Sequence, residues 1–247
     1  MAKKAGFPQN FYIGGQDISG DVGSIDSAAF KRNLGPLTGI DKSAEERIAL
    51  LGDGSLSWKG WFNDAADDAW HAALKTIADG NVRVAWALGL TIGDQACFLE
   101  AVRFNYDLSR GEDGSLTVSA EAQGSGGVCL EWGVLLTPGK ITKTANFDGA
   151  SVDNGASSAS GMVGFFQVFD NTPDAGTASL AVQDSPDNAI FTSRITFSPG
   201  ADNKTQRDVF NGTVQRYVHA TLTVGTSTSV TYAVGFRRRQ STDFDAL

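Results

Sequence analysis

Histidine and cysteine are scarce in this chain: two of each occur among 247 residues. His71 and His219 are far apart in sequence, and neither has a Cys or His neighbour at metal-ligand spacing, so a His/Cys-built metal centre is not expected. Each reads as an ordinary surface or half-buried histidine. Also missing are a Gly-x-Ser-x-Gly elbow, a phosphate-binding P-loop and an H-E-x-x-H helix. No catalytic residue, metal or cofactor is therefore assigned, and the chain is read as non-enzymatic. Cys97 and Cys129 read as reduced strand residues, with a disulfide as the weaker alternative. No apolar run approaches the length of a membrane span, so membrane insertion is not expected. The opening MAKKAGFPQNFYIGG has no apolar segment of signal-peptide length, which argues against export by that route. Basic residues are also short, 20 against 28 acidic, for a net charge of −8. That sign argues against a protein that grips and reads DNA, but not against one that nucleic acid merely passes.

What the chain does have is turn residues between short apolar runs. Gly numbers 29, and hydrophobic residues make up 41% with 10% aromatics, enough for a packed core. The expected class is mainly β. In Ser55–Phe62, Leu56 and Trp58 alternate with Ser55, Ser57 and Lys59, the period of a strand. An amphipathic helix is expected over 64–78, capped by Asn63 or Asp64, with Trp70, Leu74 and Ile77 on its apolar face. Strands are expected over 82–88, 97–108, 115–122 and 128–136, with a hairpin at Asp113-Gly114. Upstream, Ser27–Leu34 reads as a short helix or loop, and Ser43–Leu51 as a brief segment opening on a candidate helix capping box of Ser43 and Glu46. Residues 146–160, NFDGASVDNGASSAS, read as a linker between a domain at 1–145 and an antiparallel β-sandwich at 161–247.

The remaining polar clusters have plain readings. Asp148, Asp153 and Asn154, like Asp184, Asp187 and Asn188, could surround a hard cation, but lack the spacing of a calcium loop and suit turns. Trp58, Trp70 and Trp86 lie on apolar sides of patterned elements and read as core; Trp61 points the other way and is a candidate subunit contact. Arg237-Arg-Arg239 reads as a solvated strand end.

Four segments carry a resemblance. DGSLSWKGWFND (Asp53–Asp64), AADDAWHAALKTI (Ala65–Ile77), the strand pair FLEAVRFNYDLSRGEDGSLTVSAEAQGSG (Phe98–Gly126) and LEWGVLLTPGK (Leu130–Lys140) together resemble the phage tail-tube, or major tail, protein family over roughly residues 7–145. LAVQDSPDNAIFT (Leu180–Thr192) resembles accessory β-sandwich domains of phage virion proteins. The resemblance implies a tail-tube-like β-sandwich or barrel domain with one packed helix, plus a C-terminal sandwich decorating the outside. It implies a virion tail protein, assembled in the host cytoplasm, whose copies join into stacked, hexameric rings, with other tail proteins as partners. Genomic DNA would pass non-specifically through the lumen. Residues 14–52 suit the arm by which this family bridges one ring to the next. On this reading Leu116 and Val118 pack with Trp58, Trp70, Leu74, Ile77 and Trp86 in the helix–sheet core, while Thr117, Ser119 and Glu121, joined by Lys59, Arg103 and Asn105, line the channel. The alternative is a virion adhesin or carbohydrate-binding decoration protein.

Overall fold

The structure is a computed structural model that describes residues 8–66, 68–75, 81–125, 129–174, 176–200 and 204–240, with backbone alone for Asn33, Ala49, Leu51, Arg103 and Phe104. It is mainly β. Strands β1 (Asn10–Ile13) and β2 (Gln16–Asp17) form a hairpin whose two-residue turn, Gly14-Gly15, has positive φ at both positions. That conformation matches the twist of the flanking strands, and glycine adopts it without strain. A second, far longer hairpin follows in β3 (Val22–Pro36) and β4 (Arg47–Trp61). After the helix α1 (Trp70–Leu74) come β5 (Val82–Ala87), β6 (Gln95–Arg110), β7 (Leu116–Gly124), β8 (Glu131–Leu135) and β9 (Ile141–Lys143). The rest of the chain supplies β10 (Phe147–Asp148), β11 (Val152–Asp153), β12 (Met162–Thr172), β13 (Ser179–Ser185), β14 (Thr192–Phe197), β15 (Thr205–Phe210), β16 (Tyr217–Thr223) and β17 (Ser229–Arg238).

β6 organises the first half. Its N-terminal part pairs with β5 and β8; after an irregularity between Ala101 and Arg103 its C-terminal part pairs with β7, which pairs with β4, and β4 with β3. The strand thus carries the sheet from one layer to another, as a bulge allows. Between the layers lies a core in which Leu56, Trp58, Val118 and Ala122 meet Phe11, Val84 and Leu99, with Trp70 and Leu74 of α1. In the second half, β12 and β17 pair together and pack through Phe166, Tyr232 and Phe236 against the smaller sheet of β10, β11, β16, β13 and β14.

The two halves are not separate. β17 pairs with β8 and β9 as well as β12, so one 12-stranded sheet runs through both. A third core joins Tyr12, Ala87, Phe98 and Leu135 to Val163, Phe165 and Ala233, with the rings of Phe98 and Phe165 stacked at 4.0 Å. The free linker expected at 146–160 is corrected by the same structure. β10 and β11 pair with β16, Ser158 bridges to Val214, and Asn146 Oδ1 accepts the Val224 N–H at 2.9 Å. The Arg216 fork grips Asp153 at 2.7 Å and, with the Gly155 N–H, holds that carboxyl down to about 2. Asp, Asn and Ser here bond to neighbouring strands instead of to water alone.

Two further expectations are corrected. Ser27–Leu34 lies within β3 and 47–51 within β4, because cross-strand pairing over the full hairpin outweighs local helical preference. The helix occupies Trp70–Leu74 of the expected 64–78, and 76–80, with Ile77, lie outside the described residues. Asn63 bonds Asp21 at 3.0 Å and the Ala65 N–H at 3.0 Å, and Asp68, at φ 51, exchanges bonds with Asp17 and Gln16 of β2. These side-chain bonds pin the segment as a turn and delay the helix to Trp70.

Candidate assembly surface

The strands β3, β4, β7 and β6 form a sheet with two unlike faces. On β4 the even positions Leu56, Trp58 and Gly60 are buried, while Lys59 and Trp61 are exposed and Ser55 and Ser57 half-buried. On β7, Val118, Ala120 and Ala122 are buried in the core that Trp70 and Leu74 of α1 also enter, and Thr117, Ser119 and Glu121 are half-buried on the opposite side. Register places these polar residues in rows across the sheet: Lys59, Ser119, Asp107; Ser57, Glu121, Asn105; and Trp61, Thr117, Ser109. Lys59, Asn105, Thr117, Ser119 and Glu121 therefore share one face. The backbone of Arg103 continues their side of β6, and its side chain lies outside the description. Asp107, Ser109, Ser57 and Asp26 belong to the same surface and went unassigned from sequence. Simple alternation onward from Asn105 points to the first two.

The lysine on this face is neutralised locally. Lys59 Nζ is 2.9 Å from Asp26, whose carboxyl it holds below the usual range, and Asn105 Nδ2 donates to Asp107 at 2.7 Å. Among the described residues both side edges of the sheet are open: β3 pairs on one side with β4, and β6 beyond the bulge pairs on one side with β7. Such edges present unpaired backbone donors and acceptors.

The other candidate residues have structural roles. Trp58 and Trp70 are fully buried and Trp86 half-buried, whereas Trp61 is 60% exposed and Leu116 36% exposed. His71 contacts the Tyr106 hydroxyl at 3.2 Å; His219 sits between the Gly149 carbonyl and Gln183, stacked on Phe191. Asp184 pairs with Arg194 at 2.8 Å, and Asp187 accepts the Ala189 and Ile190 N–H groups. The arginines at 237–239 are not a solvated strand end: Arg237 bonds Glu131, Arg238 bonds backbone carbonyls, and Arg239 is buried. Among the described residues, no group of three His, Cys, Asp or Glu side chains is placed to hold a metal, and no helix is long and apolar enough to cross a membrane.

Cys97 is fully buried, and burial, reinforced by the charge of Glu131, pushes its thiol up to about 12. It is expected to resist alkylation in the folded protein at pH 8 and to react once denaturant is added. Rapid labelling of Cys97 in the native state, read by peptide mass spectrometry, would contradict this burial.

No protein-family profile matches this chain, and no curated protein is significantly similar to it. Among solved structures, the SPP1 Dit protein, described as a paradigm of the hub adsorption apparatus in phages infecting Gram-positive bacteria, aligns at 11% identity and TM-score 0.35, covering 94% of this chain and 100% of that one. A chain of the phage P2 baseplate in its activated conformation with calcium aligns at 8% identity and TM-score 0.31, covering 94% and 99%. Similarity at that level identifies neither a family nor a function.

Proposed function

We propose that this chain is a structural subunit of a phage tail, and that its copies join edge to edge into rings that stack as the tail tube. The observation that carries the reading is the four-stranded antiparallel sheet, open at both edges among the described residues, with one polar and one packed face. Because the strand number is even, β3 and β6 run in opposite directions. Rotation about a common axis then sets β3 of one copy antiparallel to β6 of the next, satisfying both open edges at once. The resemblance of residues 7–145 to tail-tube proteins supports sixfold closure and, at the ends of the stack, contacts with other tail proteins.

In such a ring the polar face, with Lys59, Asn105, Thr117, Ser119 and Glu121, lines the lumen. Hydroxyls, amides and a paired lysine offer few strong phosphate donors, so DNA slides past without a deep electrostatic trap. The cores then succeed one another outward, which leaves the β12–β17 sandwich on the outer wall as decoration.

Negative-stain microscopy of the concentrated protein is expected to show rings or tubes. In assembled, end-blocked tubes, cysteines replacing Thr117 and Ser119 are expected to be protected from a bulky maleimide. Ready labelling from the outside would overturn the lumen assignment, and a protein that stays monomeric at all concentrations would overturn the tube.

A further inference from the structure

Trp86 does more than close the first core. Direct pairing sets Phe11, Trp86, Cys97 and Trp132 in one row across β1, β5, β6 and β8, so all four side chains project from the same face. Phe11 and Cys97 are buried, Trp86 is half-buried and Trp132 is 44% exposed. Two strand spacings, roughly 10 Å, separate the backbones of the two tryptophans. Their ring centroids are only 6.2 Å apart, so the indoles lean together across the small Cys97 side chain. Trp86 Nε1 donates to Gln9 Oε1 at 3.0 Å, which fixes the inner ring. One exposed tryptophan is ordinary, but two in contact beside a cavity form an aromatic ledge.

On the side of Trp86 away from Trp132, the ledge meets a cavity of about 290 Å³ between β1 and the start of β3. Phe11, Val22 and Ile25 supply its apolar part, and Gln9, Asn10, Ser19 and Ser24 bring amides and hydroxyls. No described lining residue is charged. The carboxylates that reach this rim are engaged elsewhere: Asp17, bonded to Ser19, pairs with Lys140 at 2.9 Å, and Asp26, bonded to Ser24, pairs with Lys59 at 2.9 Å. Asn10 Nδ2 bonds the Tyr12 hydroxyl, which leaves Asn10 Oδ1 as an acceptor and Gln9 Nε2 as a donor without partners among the described residues. The volume falls at the small end of ligand sites, which run from about 300 to 1,000 Å³. An ion entering it finds no counter-charge. The lining matches a neutral ligand with apolar C–H faces and a rim of hydroxyls, each at once donor and acceptor, and a pyranose ring has both. Polyproline, which also seeks tryptophan, offers carbonyl acceptors alone and would leave Asn10 Oδ1 unpaired.

We propose that this cleft binds a neutral oligosaccharide. One pyranose ring enters the cavity against Trp86, with its hydroxyls on Gln9 Nε2 and Asn10 Oδ1, and the next ring stacks on Trp132. The site belongs to the single chain and does not depend on ring assembly. Cellotriose, maltotriose and tri-N-acetylchitotriose are titrated against the full chain and followed by tryptophan fluorescence and saturation-transfer NMR. At least one is expected to bind saturably, with a Kd of about 1 mM or tighter. Trp132→Ala, at an exposed position, is expected to weaken that binding about tenfold, and Trp132→Tyr to keep most of it. Ser24→Trp, which fills the cavity from its exposed rim, is expected to abolish it. No saturable binding of any of the three sugars at about 10 mM would overturn the site. So would binding that Trp132→Ala and Ser24→Trp both leave unchanged, or tighter binding of polyproline or of the charged trigalacturonic acid. Sugar binding by a chain that never forms tubes would support the site while the ring reading fails. Tubes from a chain that binds none of the sugars would leave the ring reading standing without it.

Discussion

A chain ended after Ala145 is expected to lose cooperative folding. The cut removes β17 from beside β8 and β9 and strips Val163, Phe165 and Ala233 from the core they share with Tyr12, Ala87, Phe98 and Leu135. Each large side chain taken from water contributes roughly 1.5–3 kcal/mol. The fragment also loses both arginines that face the buried carboxylate of Glu131. Against a total stability of about 5–15 kcal/mol, losses of this size leave no folded margin. Circular dichroism is expected to show a broad, non-cooperative melt, with strong binding of an apolar dye. A sharp melt would instead show that the core built on Trp58 and Trp70, which draws only on residues before 146, suffices alone.

Glu131→Ala is expected to destabilise the full chain by about 3–5 kcal/mol, the range for breaking a buried ion pair by removing one partner. The Glu131 side chain is 3% exposed; Arg207 meets it through two bonds at 2.8 and 3.1 Å and Arg237 through a third at 3.0 Å. These bonds tie β8 to β15 and β17, so the loss falls on the seam between the two halves of the chain. For a protein of this size the corresponding fall in Tm is roughly 6–20 °C. Glu131→Gln, which keeps shape and an acceptor, is expected to cost less. A change below about 1 kcal/mol for Glu131→Ala would mean that the pair barely offsets its own desolvation.

The faces of β4 and β7 were legible because strand alternation is local. Leu56 and Trp58 against Lys59, and Val118 and Ala120 against Thr117 and Ser119, follow from a two-residue period that needs no knowledge of neighbours. The Asp113-Gly114 hairpin is legible for a similar reason, since Gly114 takes the positive φ that its turn requires. One missed signal lay in plain view. Met162–Val168 is an unbroken buried run, MVGFFQV, in which Phe166 faces one core and Phe165 another. A strand buried on both faces reads in this way, and a strand at the edge of an independent sandwich would have alternated.

By itself the sequence determined the β class, the inward and outward sides of individual strands, and the turns whose geometry demands glycine or asparagine. The tertiary structure alone decided that the helix starts at Trp70, that 146–160 is pinned to β16, and that β17 joins both halves in one sheet. Each of these depends on a partner far away in the chain: Asp21 for Asn63, Arg216 for Asp153, Leu135 for Gly235. Side-chain alternation is set by a residue's own backbone, whereas strand partnership is set by which distant surfaces bury each other best, and no short window of sequence contains that comparison.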